Sequence, residues 1–387
     1  MPQNLDVTRG RARGRPGRVL AAGLAALFAA TAARAGERFE LFPSPAERRY
    51  LRDDAPKPEL SLALDGLTTD VARDRDAPAD ASAKPPFWEI HNPAVAAEAF
   101  PLIPPEGVPA RPLLDRNTSL LTGGVLLLTT IYANSGAWTY GYQDFHFHSE
   151  HWFGPNTYGG GADKASHFII TASMAREIAL LSDAWGHTRE QSVALGLGVT
   201  ALSGLLVEIG DGVSPYGFSW EDLTSDVLGA ATGVFLTRHG LNDVFGLRVG
   251  KVPTSVPASE ENAYLGSGYS TEIYSADFRV AGLARRWRFE PAVARFLMAS
   301  VTYQTKGYGY VPPVADRQRL VGFEIGLNVP EILAAAGVPE TKWWGSALYK
   351  IFSFFRVPYT SFGWRYDLNH HRWHGPDTGD KYYGAGG

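Results

Sequence analysis

Four stretches of this chain are apolar on nearly every side of a helical wheel, and a later stretch is apolar at every second position. Residues 117–143 carry no charge, and Leu120 to Tyr132 form their apolar heart, interrupted by Thr122, Gly123 and Gly124. Residues 163–183, 188–207 and 222–238 predict three more helices, parted by the turn-rich pieces Trp185-Gly186-His187-Thr188 and Gly210 to Tyr216. Asp163 after Gly159-Gly160-Gly161, and Thr188 followed by Glu190 and Gln191, read as helix N-caps. A short oxygen-bearing side chain there can accept a backbone N–H that has no partner within the helix. Helices this apolar fit either a buried bundle or a set of short membrane spans. The 17 uncharged residues at 191–207 lie at the lower edge of the ~20 that cross a bilayer, so a compact four-helix core is expected.

Further on, the period changes. Val321, Phe323, Ile325, Leu327 and Val329 alternate with Gly322, Glu324, Gly326 and Asn328, which predicts a strand with one apolar face. Residues 296–305 supply an antiparallel partner across the loop Lys306 to Arg319. Asn328 and Pro330 open a short helix that Gly337 ends, and Trp343 to Phe355 form a second, very aromatic one before the polar tail Asn369 to His374. On that second helix Trp344, Leu348, Ile351 and Phe355 follow one stripe, widened by Trp343, Ala347 and Phe354, with Lys350 and Arg356 expected to keep their charges in water. Such a stripe suits a membrane surface or another apolar partner, and core packing is its competing use. The fold class expected is mainly α: a four-helix core at 113–240 and a smaller C-terminal α+β part at 258–387 containing a β-hairpin. No fixed-period repeat is visible, which removes solenoids and propellers.

Composition adds a compartment. Arg9, Arg11, Arg13, Arg15 and Arg18 precede the apolar run Val19 to Ala32, and Ala33-Arg34-Ala35 is a small-residue cleavage site before Gly36, so residues 1–35 read as an export signal. Residues 36–112 are rich in Pro, Asp and Ala and read as an extended linker, too poor in apolar residues to repay ordering. Loss of residues 1–35 removes six Arg and one Asp and takes the formal charge from −4 to −9. That balance argues against a nucleic-acid partner. With no cysteine, stability must come from buried area rather than disulfides.

The chemistry-bearing residues crowd the ends of the apolar stretches. Asp163-Lys164-Ala165-Ser166-His167-Phe168 opens one, Glu208-Ile209-Gly210-Asp211-Gly212 closes another, and Ser219 to Asp226 opens a third. Asp163 and His167 are four apart, as are Asp222 and Asp226, so each pair shares a helix face. Asp163, His167, Glu208, Asp211, Asp222 and Asp226 thus form a candidate polar cluster, whose repulsion Lys164, Arg176, a proton or a cation must offset. Upstream, Phe145 to His151 puts His146, His148 and Glu150 on one side if extended, and with His167 they are candidate ligands for a divalent metal. Their spacing matches no known zinc motif, and a backbone-bonded aromatic loop is the plainer use of the segment.

Asp-Lys-x-x-His-Phe, an acidic turn and Ser-x-x-Asp-Leu-x-x-Asp-x-x-Gly-Ala (Ser219, Asp222, Leu223, Asp226, Gly229, Ala230) together resemble the YfiM-like domain-of-unknown-function family of predicted bacterial envelope lipoproteins. More remotely the pattern is similar to the membrane-embedded VanZ-like proteins. The resemblance covers about Phe145 to Thr237 and implies a periplasmic, membrane-associated location rather than a reaction. The absence of cysteine departs from it, since no residue can carry the lipid. Two functions remain in view: an exported, envelope-associated structural or binding protein, and a metal-dependent hydrolase acting on a lipid or other envelope phosphate or ester.

Overall fold

The computed structural model describes residues 111–251, 268–308, 317–339 and 342–379. The expected export signal and nearly all of the expected linker lie outside them. Helix α1 (Arg116–Ala133) begins at Asp115, whose carboxylate accepts the Thr118 N–H while the Thr118 hydroxyl accepts the Asp115 N–H. The uninterrupted helix expected over 117–143 breaks at Asn134, and a short α2 (Ser135–Tyr140) follows. Helices α3 (Ala162–Ala184), α4 (Arg189–Gly212) and α5 (Trp220–Arg238) complete the four-helix core. Thr188 caps α4 in a reciprocal pair with Gln191, as its sequence predicts.

Asp163 does not cap α3. Gly159, Gly160 and Gly161 all have positive φ and turn the chain so tightly that Gly161 occupies the cap position, leaving Asp163 inside the first turn. Left-handed backbone costs glycine little, which is why three stand together there.

Close helix contact rests on small residues. A Cβ on Gly229 would lie 2.2 Å from the Phe168 carbonyl oxygen, and one on Gly233 would lie 2.0 Å from that of Ala172, so α5 touches the backbone of α3. Val125, Ile178, Leu195 and Val199 then fill the space among α1, α3 and α4.

The remainder corrects the expected mainly α class to α+β. Strands β1 (Phe245–Lys251), β2 (Glu272–Arg279), β3 (Leu297–Lys306), β4 (Gln318–Leu327), β5 (Ser361–Asp367) and β6 (Arg372–Asp377) form one antiparallel meander in chain order. The expected hairpin is its β3–β4 pair, and β1 lies ahead of the boundary expected at 258. The expected polar tail at 369–374 is the β5–β6 connection and the start of β6. Helices α6 (Val280–Trp287), α7 (Val329–Ala335) and α8 (Trp343–Phe354) fill the connections. Ala162 and Ile169 of α3 pack with Tyr274, Leu247, Val249 and Tyr303, so helices and sheet share a core.

The sheet's faces are sorted opposite to those of a water-soluble sheet. Asp277, Ser300 and Glu324 form one cross-strand row and Arg248, Ser275, Thr302, Gly322 and Arg365 the next, all on the buried face. The apolar alternation of β4 points outward, with Phe323 and Ile325 exposed. On α8, Trp344, Ile351 and Phe355 at its end are exposed as well, and Leu348 is half-buried. Of the positive charges beside that stripe, Arg356 does not stay in water but is buried against Glu324, while half-buried Lys350 pairs with Glu177. Among the described residues, two segments, Arg116–Tyr140 and Arg189–Gly212, are long and apolar enough to cross a membrane by length and composition.

The glycine contacts generate a prediction. Gly233→Ala should lower stability by about 1–3 kcal/mol, because its methyl meets backbone that cannot swing aside. Gly198→Ala, with nothing within 4 Å of the added carbon, should leave stability unchanged or raise it by up to ~1 kcal/mol. Denaturant unfolding of both variants checks the pair.

Candidate functional site

Lys164 organises the site. Placed one residue after Asp163 on the first turn of α3, its side chain is almost wholly buried, and an unpaired ammonium there would cost several kcal/mol. It is well paired: Nζ donates to Glu150 in a short contact, to Asp163 Oδ2 at 3.1 Å and to Asp222 Oδ2 at 3.3 Å, with Asp222 Oδ1 at 3.0 Å. Burial works against its charge, but the carboxylates of Asp163, Asp222 and Glu150 outweigh it and hold the ammonium pKa above the ordinary lysine value.

His167 is one turn further along α3 and half-buried. Its Nδ1 lies 3.0 Å from Asp226 Oδ1, and its Nε2 lies 3.7 Å from Asp163 Oδ1. Burial opposes its protonation, yet Asp226 and Asp163 overcome it and raise the imidazole pKa well above the usual value. Room for Asp226 comes from Gly204 on α4, where a Cβ would lie 2.5 Å from Asp226 Oδ2.

Asp163 joins the helices to the start of the sheet, since its Oδ1 accepts the Tyr269 hydroxyl just before β2. Burial would raise its pKa, but His167, Lys164 and Tyr269 hold it below the ordinary carboxylate range. Asp222 goes the other way, pushed up to about 6 by burial and Asp163 against His167 and Lys164. Glu150, in the loop before α3, is pushed up to about 8 by burial, Asp163 and Asp222. On α4, Glu208 Oε2 accepts the Ser219 N–H at 2.9 Å, while its Oε1 is buried with no hydrogen-bond partner among the described residues. Ser219 in turn caps α5 by accepting the Asp222 N–H at 3.2 Å.

The structure therefore brings Asp163, His167, Glu208, Asp222 and Asp226 together. Asp163, His167 and Asp222 form one group with ligand-capable atoms within 4.8 Å of one another, and His167, Glu208 and Asp226 form a second. Asp211 is near enough to feel His167, Asp163 and Asp222 electrostatically but joins neither group. The suggested set His146, His148, Glu150 and His167 is not assembled. His146 Nδ1 lies 3.1 Å from the Asp144 carbonyl, His148 stays with the extended segment that bridges Phe147 to Phe218, and Glu150 is spent on Lys164. Arg176, one of the alternatives for offsetting the cluster, lies beside Glu177 instead, and Lys164 takes that role. Tyr269 was missed altogether, because nothing in a sequence links it to a residue 106 positions away.

Residues 149–238 match the model of a family described as predicted periplasmic lipoprotein (DUF2279). No curated protein and no solved structure shows significant similarity to the chain. The matched stretch runs from Ser149, beside Glu150, through α3 and α4 to the end of α5, so it contains every member of the cluster except Tyr269. The family description agrees with a periplasmic, membrane-associated location in the cell envelope.

Lys164→Met should destabilise the protein by about 3–5 kcal/mol, because three carboxylates then lose their shared cation. Thermal unfolding monitored by circular dichroism checks it, and an unchanged midpoint would contradict the assignment.

Proposed function

We propose that the chain is an exported, envelope-associated structural or binding protein without catalytic activity, in which the cluster fixes how helices and sheet pack. The observation that carries this reading is the pairing of buried Lys164 and half-buried His167. Lys164 spans the loop at Glu150, α3 and α5, and His167 bridges Asp226 to Asp163, which is itself tied to Tyr269. Lys164, His167 and the Tyr269 phenol thereby engage oxygens of Glu150, Asp163, Asp222 and Asp226 that a catalytic metal would otherwise draw on. A membrane surface or an envelope component is the partner of this reading. The exposed stripe Trp344, Ile351 and Phe355, with half-buried Leu348, supports it, while the Trp343 side chain lies outside what the structure describes.

One observation favours a second reading, a metal-dependent hydrolase acting on a lipid or other envelope phosphate or ester. Glu208 Oε1 is buried beside His167 and Asp226 without a partner among the described residues. A divalent cation there would use an oxygen that no other described residue claims. Asp226 against one ring nitrogen of His167 resembles the carboxylate that orients a ligating histidine. Bound to such a cation, water would become a nucleophile.

The two readings part on His167→Ala in metal-free buffer. The structural reading predicts a loss of about 1–3 kcal/mol, from carboxylates left unsatisfied, and no stoichiometric metal in the purified parent protein. Stoichiometric zinc or manganese in the parent, lost in the variant with little change in metal-free stability, would replace it with the hydrolase reading.

A further inference from the structure

We propose that the outward face of the sheet around β4 and β5, beyond the part of the same face that α3 covers at Leu247, Val249, Tyr274 and Tyr303, lies in the hydrocarbon of a lipid bilayer, with the charged face turned into the protein. The inference is independent of what the His167 cluster does.

Sorting of side chains is the first argument. Directly opposed residues on neighbouring antiparallel strands share a face. Val301 stands opposite Phe323, which stands opposite Trp364; Ala299 stands opposite Ile325, which stands opposite Phe362. These make two adjacent apolar rows without a charge, and Phe323, Ile325, Phe362 and Trp364 are 54%, 62%, 53% and 51% exposed. Behind them the buried rows are ionic. Arg248 pairs with Asp277, whose Oδ1 accepts the Ser300 hydroxyl at 2.7 Å. Glu324 takes Arg365 in a short contact, Arg356 at 2.8 Å and the Ser361 hydroxyl at 2.6 Å. In water this arrangement is the costly one, since it exposes the residues that gain from burial and buries those that lose. A hydrocarbon surround reverses the cost, and a polar inside with an apolar outside is the alternation of membrane-embedded strands.

Dimensions and ends give the second argument. Strands β3 and β4 have 10 residues each, within the about 9–11 that a tilted strand needs to cross the hydrocarbon. The free edge of β1 is partly covered: the Val249 carbonyl accepts the Arg356 N–H at 2.9 Å. Aromatic residues sit at both ends of the band, with Trp287 and Tyr359 exposed at one and Trp373 exposed against Tyr366 at the other. The Trp287 end also carries exposed Arg286 and Arg288, with Phe289 and Val293 exposed beside them. Basic and aromatic side chains in that combination complement an anionic headgroup layer. A protein partner would be met as well by an apolar patch, but it would need neither the strand length nor the basic-aromatic rim.

The test uses the full chain, which has no cysteine and so accepts single labelling sites. Phe323→Cys, Ile325→Cys and, as a water-exposed control at the start of α4, Glu190→Cys would each carry bimane after reconstitution into vesicles of phosphatidylethanolamine and phosphatidylglycerol. Circular dichroism identical to the parent's selects the variants to be read, and two outward sites protect against failure of one. Quenching at 323 and 325 should be several-fold stronger by acyl-chain nitroxide lipid than by aqueous iodide, with the reverse at 190. Iodide quenching at 323 and 325 equal to that at 190 would overturn the proposal by placing the face in water. Protection of both sites from both quenchers would overturn it too, by showing that protein, whether a second copy or another chain, covers the face.

Discussion

Charge inside the protein is the constraint on which the rest depends. Lys164, Arg248, Arg356 and Arg365 are all buried, and carboxylates placed by other elements offset the cost of taking their charges out of water. Those carboxylates dictate the packing. Glu150 pins the loop before α3, Asp222 and Asp226 fix the rotation of α5 against α3, and Glu324 locks β4 to β5 and to the chain leaving α8. Glycines do the complementary work: Gly204 makes room for Asp226, and Gly229 and Gly233 let α5 close on α3 until the polar groups are within reach.

Two polar interiors result, one at the ends of the helices and one behind the sheet. They are joined through Asp163 and Tyr269 and through the apolar contact of Ala162 and Ile169 with Tyr274 and Leu247. The helix-end cluster has more carboxyls than cations around it. Burial first, and the neighbouring carboxylates after it, raise the pKa values of Glu150 and Asp222, while Lys164 works in the opposite direction. The interior behind the sheet is matched more evenly, with Arg365, Arg356 and Ser361 all directed at Glu324. Coupling of this kind specifies register, because a strand displaced by one residue would turn Glu324 outward and Phe323 inward.

The helices were legible in the sequence because period and caps are local signals. Thr188 with Gln191 is a reciprocal cap that four consecutive residues encode. Asp163 misled because the three glycines before it take positive φ, a backbone choice that shifts the cap to Gly161. In the sheet, β4 was legible from its alternation, and β3 followed as its neighbour. Phe362, Trp364 and Tyr366 of β5 alternate too, but with Gly363, Arg365 and Asp367, and a run containing two charges and a glycine carries little weight as a strand. Alternation also says nothing about which face is turned inward, so the inverted sorting of β4 appeared only with the fold. Of the cluster, the pairs four apart were visible on their helices, whereas Glu150 to Lys164 and Tyr269 to Asp163 depend on chain reversals that no local pattern encodes.

The central claim is that buried charges satisfied by groups from other elements fix the packing, and the hydrogen bond from the Tyr269 hydroxyl to Asp163 is one place where this ties the helical part to the chain entering β2. A double-mutant cycle with Asp163→Asn and Tyr269→Phe, measured by equilibrium unfolding, tests it most directly. The account predicts a coupling of about 0.5–3 kcal/mol between the two changes. Additivity to within about 0.3–0.5 kcal/mol would contradict it.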